Sequence, residues 1–213
     1  MSPDFARVVD PIFLHVIGLL DRIERNQAPE APIARAGIEY RLNHAEQVVG
    51  HGHEQWKLAK YALAAWIDEM LIEAPWEGRG YWKNRSLEIE LFKGATAHET
   101  FYLKAEEAKS QATRDALEVF YVCVVLGFRG LYRKPKDNED AKRLGLPDSL
   151  AKWAEHATLA ISLKHGRPEV KTTANPGCVA PPLYGRSRLV LMTLAFFSAA
   201  AITLFMSILY RNW

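Results

Sequence analysis

From Leu189 to Tyr210 the chain reads LVLMTLAFFSAAAITLFMSILY, without a charged residue. At 1.5 Å of rise per residue a helix of this length reaches roughly 33 Å, enough to cross the hydrocarbon core of a bilayer. Thr193, Ser198, Thr203 and Ser207 fit inside it, because their hydroxyls can bond backbone carbonyls. Arg186 and Arg188 precede the run and Arg211 follows it. The positive-inside rule then keeps the N-terminal part cytoplasmic and puts Arg211, Asn212 and Trp213 beyond the far interface. Asp4 and Asp10 interrupt the N-terminal region, so no cleavable signal is expected there. The reading is a tail-anchored, single-pass protein.

A second greasy run, Val119 to Phe128, is about half the length of a span and is bracketed by Glu118 and Arg129. It is expected to be the core helix of a helical domain, with Val119, Phe120, Cys123, Val124 and Leu126 buried. Between domain and span, His165 to Ser187 is broken by prolines and glycines and reads as an extended leash. The predicted organisation is a helical domain over 1–165, a linker over 166–188, the span over 189–210 and a short tail over 211–213.

Charge excludes one class of partner. With 27 Lys and Arg against 25 Asp and Glu, the chain has no electrostatic footprint for nucleic acid. Cys123 and Cys178 fit a reducing compartment and make no disulfide framework. The sequon Asn84-Arg85-Ser86 is accordingly expected to carry no glycan.

The rest reads as helices, with no sustained period-two alternation, so the domain is expected to be all-α. Phe5, Val8, Ile12, Phe13, Val16, Ile17 and Leu20 mark an amphipathic first helix that kinks at Pro11 or starts at Asp10. A second covers Pro32 to Val49 and ends at Gly50 and Gly52. A third runs from Glu54 to Glu73 and stops before Pro75, with Trp56, Ala59, Leu63, Trp66, Ile67 and Met70 on one face. APWEGRGYWKNRS then reads as an aromatic-rich loop. Ser86 to Phe92 and Glu99 to Ala112 read as short helices, KPKDNED as a polar connection, and Ser149 to Lys164 as the last helix of the domain.

Chemistry is sparse. His44, His51 and His53, beside Glu54, offer a metal-like grouping, but no cysteine is near and a fourth ligand is missing; exposed loop histidines are the preferred reading. No nucleophile elbow or phosphate-binding glycine motif is present in the sequence. No catalytic residue, metal or cofactor is therefore assigned; a tail-anchored metal-dependent enzyme is the alternative from another class. Asp68 and Glu69 point about 100° apart on a helix and so do not flank one scissile bond. The wheel puts Asp68 opposite the apolar stripe and Glu69 on its margin, a solvated face. Trp66, Trp76, Tyr81 and Trp82 close a core, with a ring left over for a partner as the competing reading.

In this order the segments resemble the DotU/TssL family of bacterial secretion-system membrane proteins. YALAAWIDEMLI (Tyr61 to Ile72) is similar to its helix ending in an Asp-Glu pair; LEIELF (Leu87 to Phe92) and HETFYLKAEEA (His98 to Ala108) follow. LEVFYVCVVLGFRGLYR resembles its apolar helix closing in Gly-Phe-x-Gly-x-Tyr, with Gly127, Phe128, Gly130 and Tyr132 matching. His98 departs from the family's more frequent glycine. The resemblance implies two small helical bundles forming a hook with a cleft between them. It implies a scaffold of the type VI secretion membrane complex or the homologous type IVb component, in the bacterial inner membrane with the C-terminus periplasmic. The partners implied are a TssM/IcmF-like inner-membrane protein and cytoplasmic baseplate proteins, and self-association is expected. Some members of that family continue past the span into a peptidoglycan-binding domain, and here wall binding is expected to come from another component. Asp68 and Glu69, with Trp76, Tyr81 and Trp82, are the expected partner-binding residues. On that reading Asp68→Lys/Glu69→Lys keeps the fold and loses the partner.

Overall fold

The computed structural model describes residues 1–164 apart from 51, 95–96 and 134–138. The leash, the span Leu189 to Tyr210, Cys178, Arg186, Arg188 and Arg211 lie outside the described residues. Among the described residues there is no strand, and no helix is long and apolar enough to cross a membrane.

The helices are α1 (Pro3–Glu24), α2 (Ala31–Val49), α3 (Glu54–Glu73), α4 (Arg79–Asn84), α5 (Leu87–Phe92), α6 (Ala97–Ser110), α7 (Asp115–Val125), α8 (Glu139–Arg143) and α9 (Leu150–Lys164), with a 3-10 turn at Gly130–Arg133. Helix α3 is central. It packs most extensively on α7 and also touches α1, α2, α4, α5 and α6; α1 pairs with α2, and α9 covers α7. One continuous apolar core runs through all of these elements.

A helix apolar on one stripe needs one neighbour; a helix apolar all round needs several. Helix α3 is of the second kind. From Gln55 to Leu71 it is buried on every side except at Lys57, Lys60, Glu69 and Met70. Ala59, Ala62, Ala64 and Ala65 contribute little bulk, and this lets neighbours approach closely: Cys123 Sγ of α7 lies 3.6 Å from the Ala62 carbonyl. The one-stripe amphipathic reading of this helix is thereby corrected.

Other differences have local reasons. Helix α1 is continuous through Pro11 rather than starting at Asp10. Pro11 and Arg7 are both exposed, so the carbonyl that loses its i+4 donor lies on the solvent side. The buried register is Phe5, Val9, Ile12, Phe13, Val16, Leu19 and Ile23. Val8 and Leu20 are only half-buried and Ile17 is exposed, because the true stripe alternates four and three residues from Phe5. The aromatic loop contains α4, and a short α8 begins at the last two residues of the stretch read as connection and runs on to Arg143. On α7, Val119, Phe120, Cys123 and Val124 are buried as expected, but Leu126 is half-buried and Val125 is 63% exposed at the helix end.

Phe120 is fully buried and meets Phe101 edge-on at 4.8 Å between centroids. Phe120→Ala is expected to destabilise the domain by about 3–5 kcal/mol, through lost transfer energy and the cavity left behind. Val125→Ala should stay within about 0.5 kcal/mol. Chemical denaturation of the two variants checks the pair of values.

Candidate functional site

The end of α3 is where the segments singled out in the sequence come together. Asp68 is 5% exposed and accepts three hydrogen bonds: Oδ1 from Trp82 Nε1 at 2.8 Å and the Leu87 N–H at 2.8 Å, and Oδ2 from the Glu88 N–H at 2.8 Å. Leu87 and Glu88 are the first residues of α5, whose N–H groups have no partner within their own helix. Asp68 is thus a cap supplied from another helix. Ser86, the residue before α5, supports it by accepting from the Ile89 N–H.

Glu69 turns the other way. Its Oε1 accepts from the Arg129 N–H at 2.7 Å and its Oε2 from the Gly130 N–H at 3.0 Å, and Arg133 pairs with Oε1 at 3.1 Å. Arg133 also pairs with Glu73. Glu69 therefore caps the turn that follows α7. The wheel angle between the two carboxylates was read correctly, but the solvated face was not. Asp68 is enclosed by α4 and α5, which the wheel of α3 alone cannot show.

Other charges surround Asp68. Arg35 of α2, 5% exposed, lies over the Trp82 ring at 5.1 Å, pairs with Glu39 and Glu90 at 2.6 Å each, and donates to the Arg85 carbonyl. Tyr61 donates to Glu88 Oε1 at 2.9 Å, and burial, with the Glu88 carboxylate beside it, holds its hydroxyl well above the usual range. Burial pushes the Asp68 carboxyl up to about 6, against the three donors and the Arg35 cation that favour the carboxylate. Arg35, Tyr61, Ser86 and Glu88 were missed by sequence reasoning. The available signal was Asp68 itself, a charge inside a helix apolar all round.

The Gly-Phe-x-Gly-x-Tyr segment packs back onto α6. Phe128 stacks on Phe101 at 3.9 Å, and Tyr132 meets Tyr102 edge-on at 4.7 Å. Tyr102 donates to the Arg129 carbonyl at 2.8 Å and Tyr132 to the Pro147 carbonyl at 2.6 Å. Gly127 has φ +113° directly after the α7 end, and Gly130 has φ +46°. A Cβ on Gly130 would come within 2.8 Å of the Phe128 ring and 3.1 Å of the His98 carbonyl, so glycine is required there.

Asp68 and Glu69 border a depression of about 310 Å3, shared with His98, Phe128, Arg133 and Lys83. Of the other expected binding residues, Trp82 is fully buried and so is not an accessible anchor. Its indole is spent on Asp68. Trp76 and Tyr81 are half-buried and line a separate groove. His44 stacks on Tyr40 and His53 precedes α3, both exposed, while His51 lies outside the described residues. Among the described residues no group of three or more His, Cys, Asp and Glu is placed to hold a metal.

Over the described residues the architecture is that of an all-helical domain organised around a buried central helix that caps its neighbours. A family model described as Type VI secretion system protein DotU matches residues 5–213. A solved structure, the cytoplasmic domain of TssL from Acinetobacter baumannii, is similar at 24% identity over 76% of this chain and 99% of that one, with a TM-score of 0.59. No curated protein matches. The chain belongs to the DotU family of type VI secretion system proteins.

Two outcomes follow from the caps. The folded state holds the Asp68 proton to about pH 6, whereas the ordinary value is 3.8. Its contribution to stability is therefore fully present below pH 4 and is lost as the pH rises through 6. Asp68→Asn should remove that slope between pH 4 and 6. It should also cost about 1–3 kcal/mol, because the amide cannot accept from all three donors. Denaturation at several pH values measures both. Gly130→Ala should cost about 1–3 kcal/mol from its positive φ and the Phe128 contact, read as a lowered Tm.

Proposed function

We propose that this protein is a structural component of the type VI secretion membrane complex, acting by binding rather than catalysis. In this reading the helical domain stands in the cytoplasm and docks baseplate proteins. Leu189 to Tyr210 holds it in the bacterial inner membrane beside a TssM/IcmF-like protein, with the C-terminus periplasmic. The observation that carries the reading is the extent of the family match. It runs from residue 5 to 213 and so takes in both the described helices and the uncharged C-terminal run. The cross-linked end of α3 supports it further: a scaffold transmits position between partners, and a surface whose turns are capped from within keeps its shape.

The charge-reversal test of partner docking needs revision on this structure. Lys at position 68 would place a cation against Trp82 Nε1 and the bare N–H groups of α5, and should unfold the domain rather than free a partner. Surface substitutions around the depression are the proper probe, because rim charge acts on association while the fold survives. Lys83→Glu, at an exposed position on that rim, is one such change.

Truncation tests the anchor directly. A chain ending at Arg188 should leave carbonate-washed membranes, keep its helical circular dichroism signal, and fail to restore type VI secretion to a deletion strain. Retention in the membrane, or restored secretion, would contradict the proposal.

A further inference from the structure

A groove of about 860 Å3 lies between the α1–α2 connection and the loop joining α3 to α4. It shares no lining residue with the depression at the carboxylate pair. Its walls offer acceptors, two of them carboxylates. Pro29, Pro32 and Pro75 line it and have no backbone N–H. The carbonyls of Ala28, Pro29 and Pro75 accept no hydrogen bond among the described residues. Glu30 and Glu77 are exposed in it, one from each wall, and neither forms an ion pair among the described residues. No Lys, Arg or His is among its lining residues. Of the neighbouring cations, Arg85 is committed to Glu90 at 3.1 Å and to the face of Tyr81 at 5.6 Å, while Arg79, exposed beside Gly78, is not among the lining residues.

One aromatic plate is built into the groove. Trp76 Nε1 donates to the Leu71 carbonyl at 2.9 Å. One face of the six-membered ring of the same indole lies on Gly78, where a Cβ would come within 2.5 Å of the ring. The hydrogen bond and the glycine seat together fix the plane of the ring. With its N–H already satisfied, Trp76 has only the π face away from Gly78 to offer.

A fixed indole and two carboxylates without an ion pair among the described residues, in a groove that no Lys, Arg or His lines, make a site for a planar, donor-rich cation. Arginine has that chemistry: it stacks on aromatic faces and carries five N–H donors, whereas lysine is a compact point charge. The volume is at the upper end of ordinary ligand pockets, which span about 300–1,000 Å3, and so holds several residues rather than one side chain. We propose that this groove docks an extended, arginine-bearing segment of a partner protein, with the guanidinium on Trp76 and between Glu30 and Glu77. The proposal stands independently of the secretion reading, since it rests on the groove alone.

Fluorescence anisotropy of a labelled Gly-Arg-Pro-Arg-Gly peptide, titrated with the purified full-length chain, tests it. Saturable binding is expected, weakened about tenfold or more when citrulline replaces both arginines. Glu30→Gln/Glu77→Gln should weaken binding similarly, and its exposed positions leave the fold intact. Trp76→Leu should do the same, while Asp148→Asn, outside the groove, should change nothing. Absence of saturable binding, equal affinity for the citrulline peptide, or affinity unchanged in the double glutamine variant would overturn the proposal. So would a chain that ignores the peptide but loses a dimer on Trp76→Leu, since the occupant would then be a second copy.

Discussion

Each carboxylate of the Asp68–Glu69 pair satisfies backbone N–H groups that the start of another helical segment leaves bare, and the packing around the end of α3 depends on both. Buried N–H groups without partners cost about 1–3 kcal/mol each, and helix starts concentrate them. Helix α5, with six residues, and the four-residue 3-10 turn are too short to stand alone. They take their caps from the long helix beneath them. Because adjacent residues diverge by about 100° on a helix, one dipeptide can hold two segments on two sides.

The rest of the region follows from those caps. Once Glu69 fixes the Arg129 and Gly130 N–H groups, the chain reverses tightly enough for Phe128 to reach Phe101 and Tyr132 to reach Tyr102. The reversal brings Gly130 against the His98 carbonyl, and this excludes any side chain at 130. On the other side Asp68 ties Trp82 of α4 and the start of α5 to α3, and Arg35 of α2 closes over Trp82. The motif segments lie far apart in sequence but share one junction. A surface built over such a junction changes shape little.

Much of this was legible in the sequence, and the failures have a common cause. The bounds of α3 follow from Pro75 after it and the glycines before it. The role of Asp68 did not follow. A helical wheel treats each helix as a cylinder facing one core, and it sent Asp68 to solvent because the stripe through Trp56 and Leu63 seemed complete. In fact Tyr61, Ala64 and Ala65 are buried as well, on the side that α5 and α6 cover. Trp82 was read as a possible binding ring for a similar reason: its N–H partner lies 14 residues earlier in the chain. Short helices such as α4 are set by tertiary contacts more than by propensity, so they too escaped periodicity.

Amide hydrogen exchange at single residues tests the double cap most directly. The Leu87, Glu88, Arg129 and Gly130 amides should be protected in the native chain, although each starts a short segment. Asp68→Asn should speed exchange at Leu87 and Glu88 while leaving Arg129 and Gly130 slow, and Glu69→Gln should do the reverse. Fast exchange at all four in the native protein, or equal loss of protection at all four in either variant, would contradict the claim that each carboxylate holds its own segment.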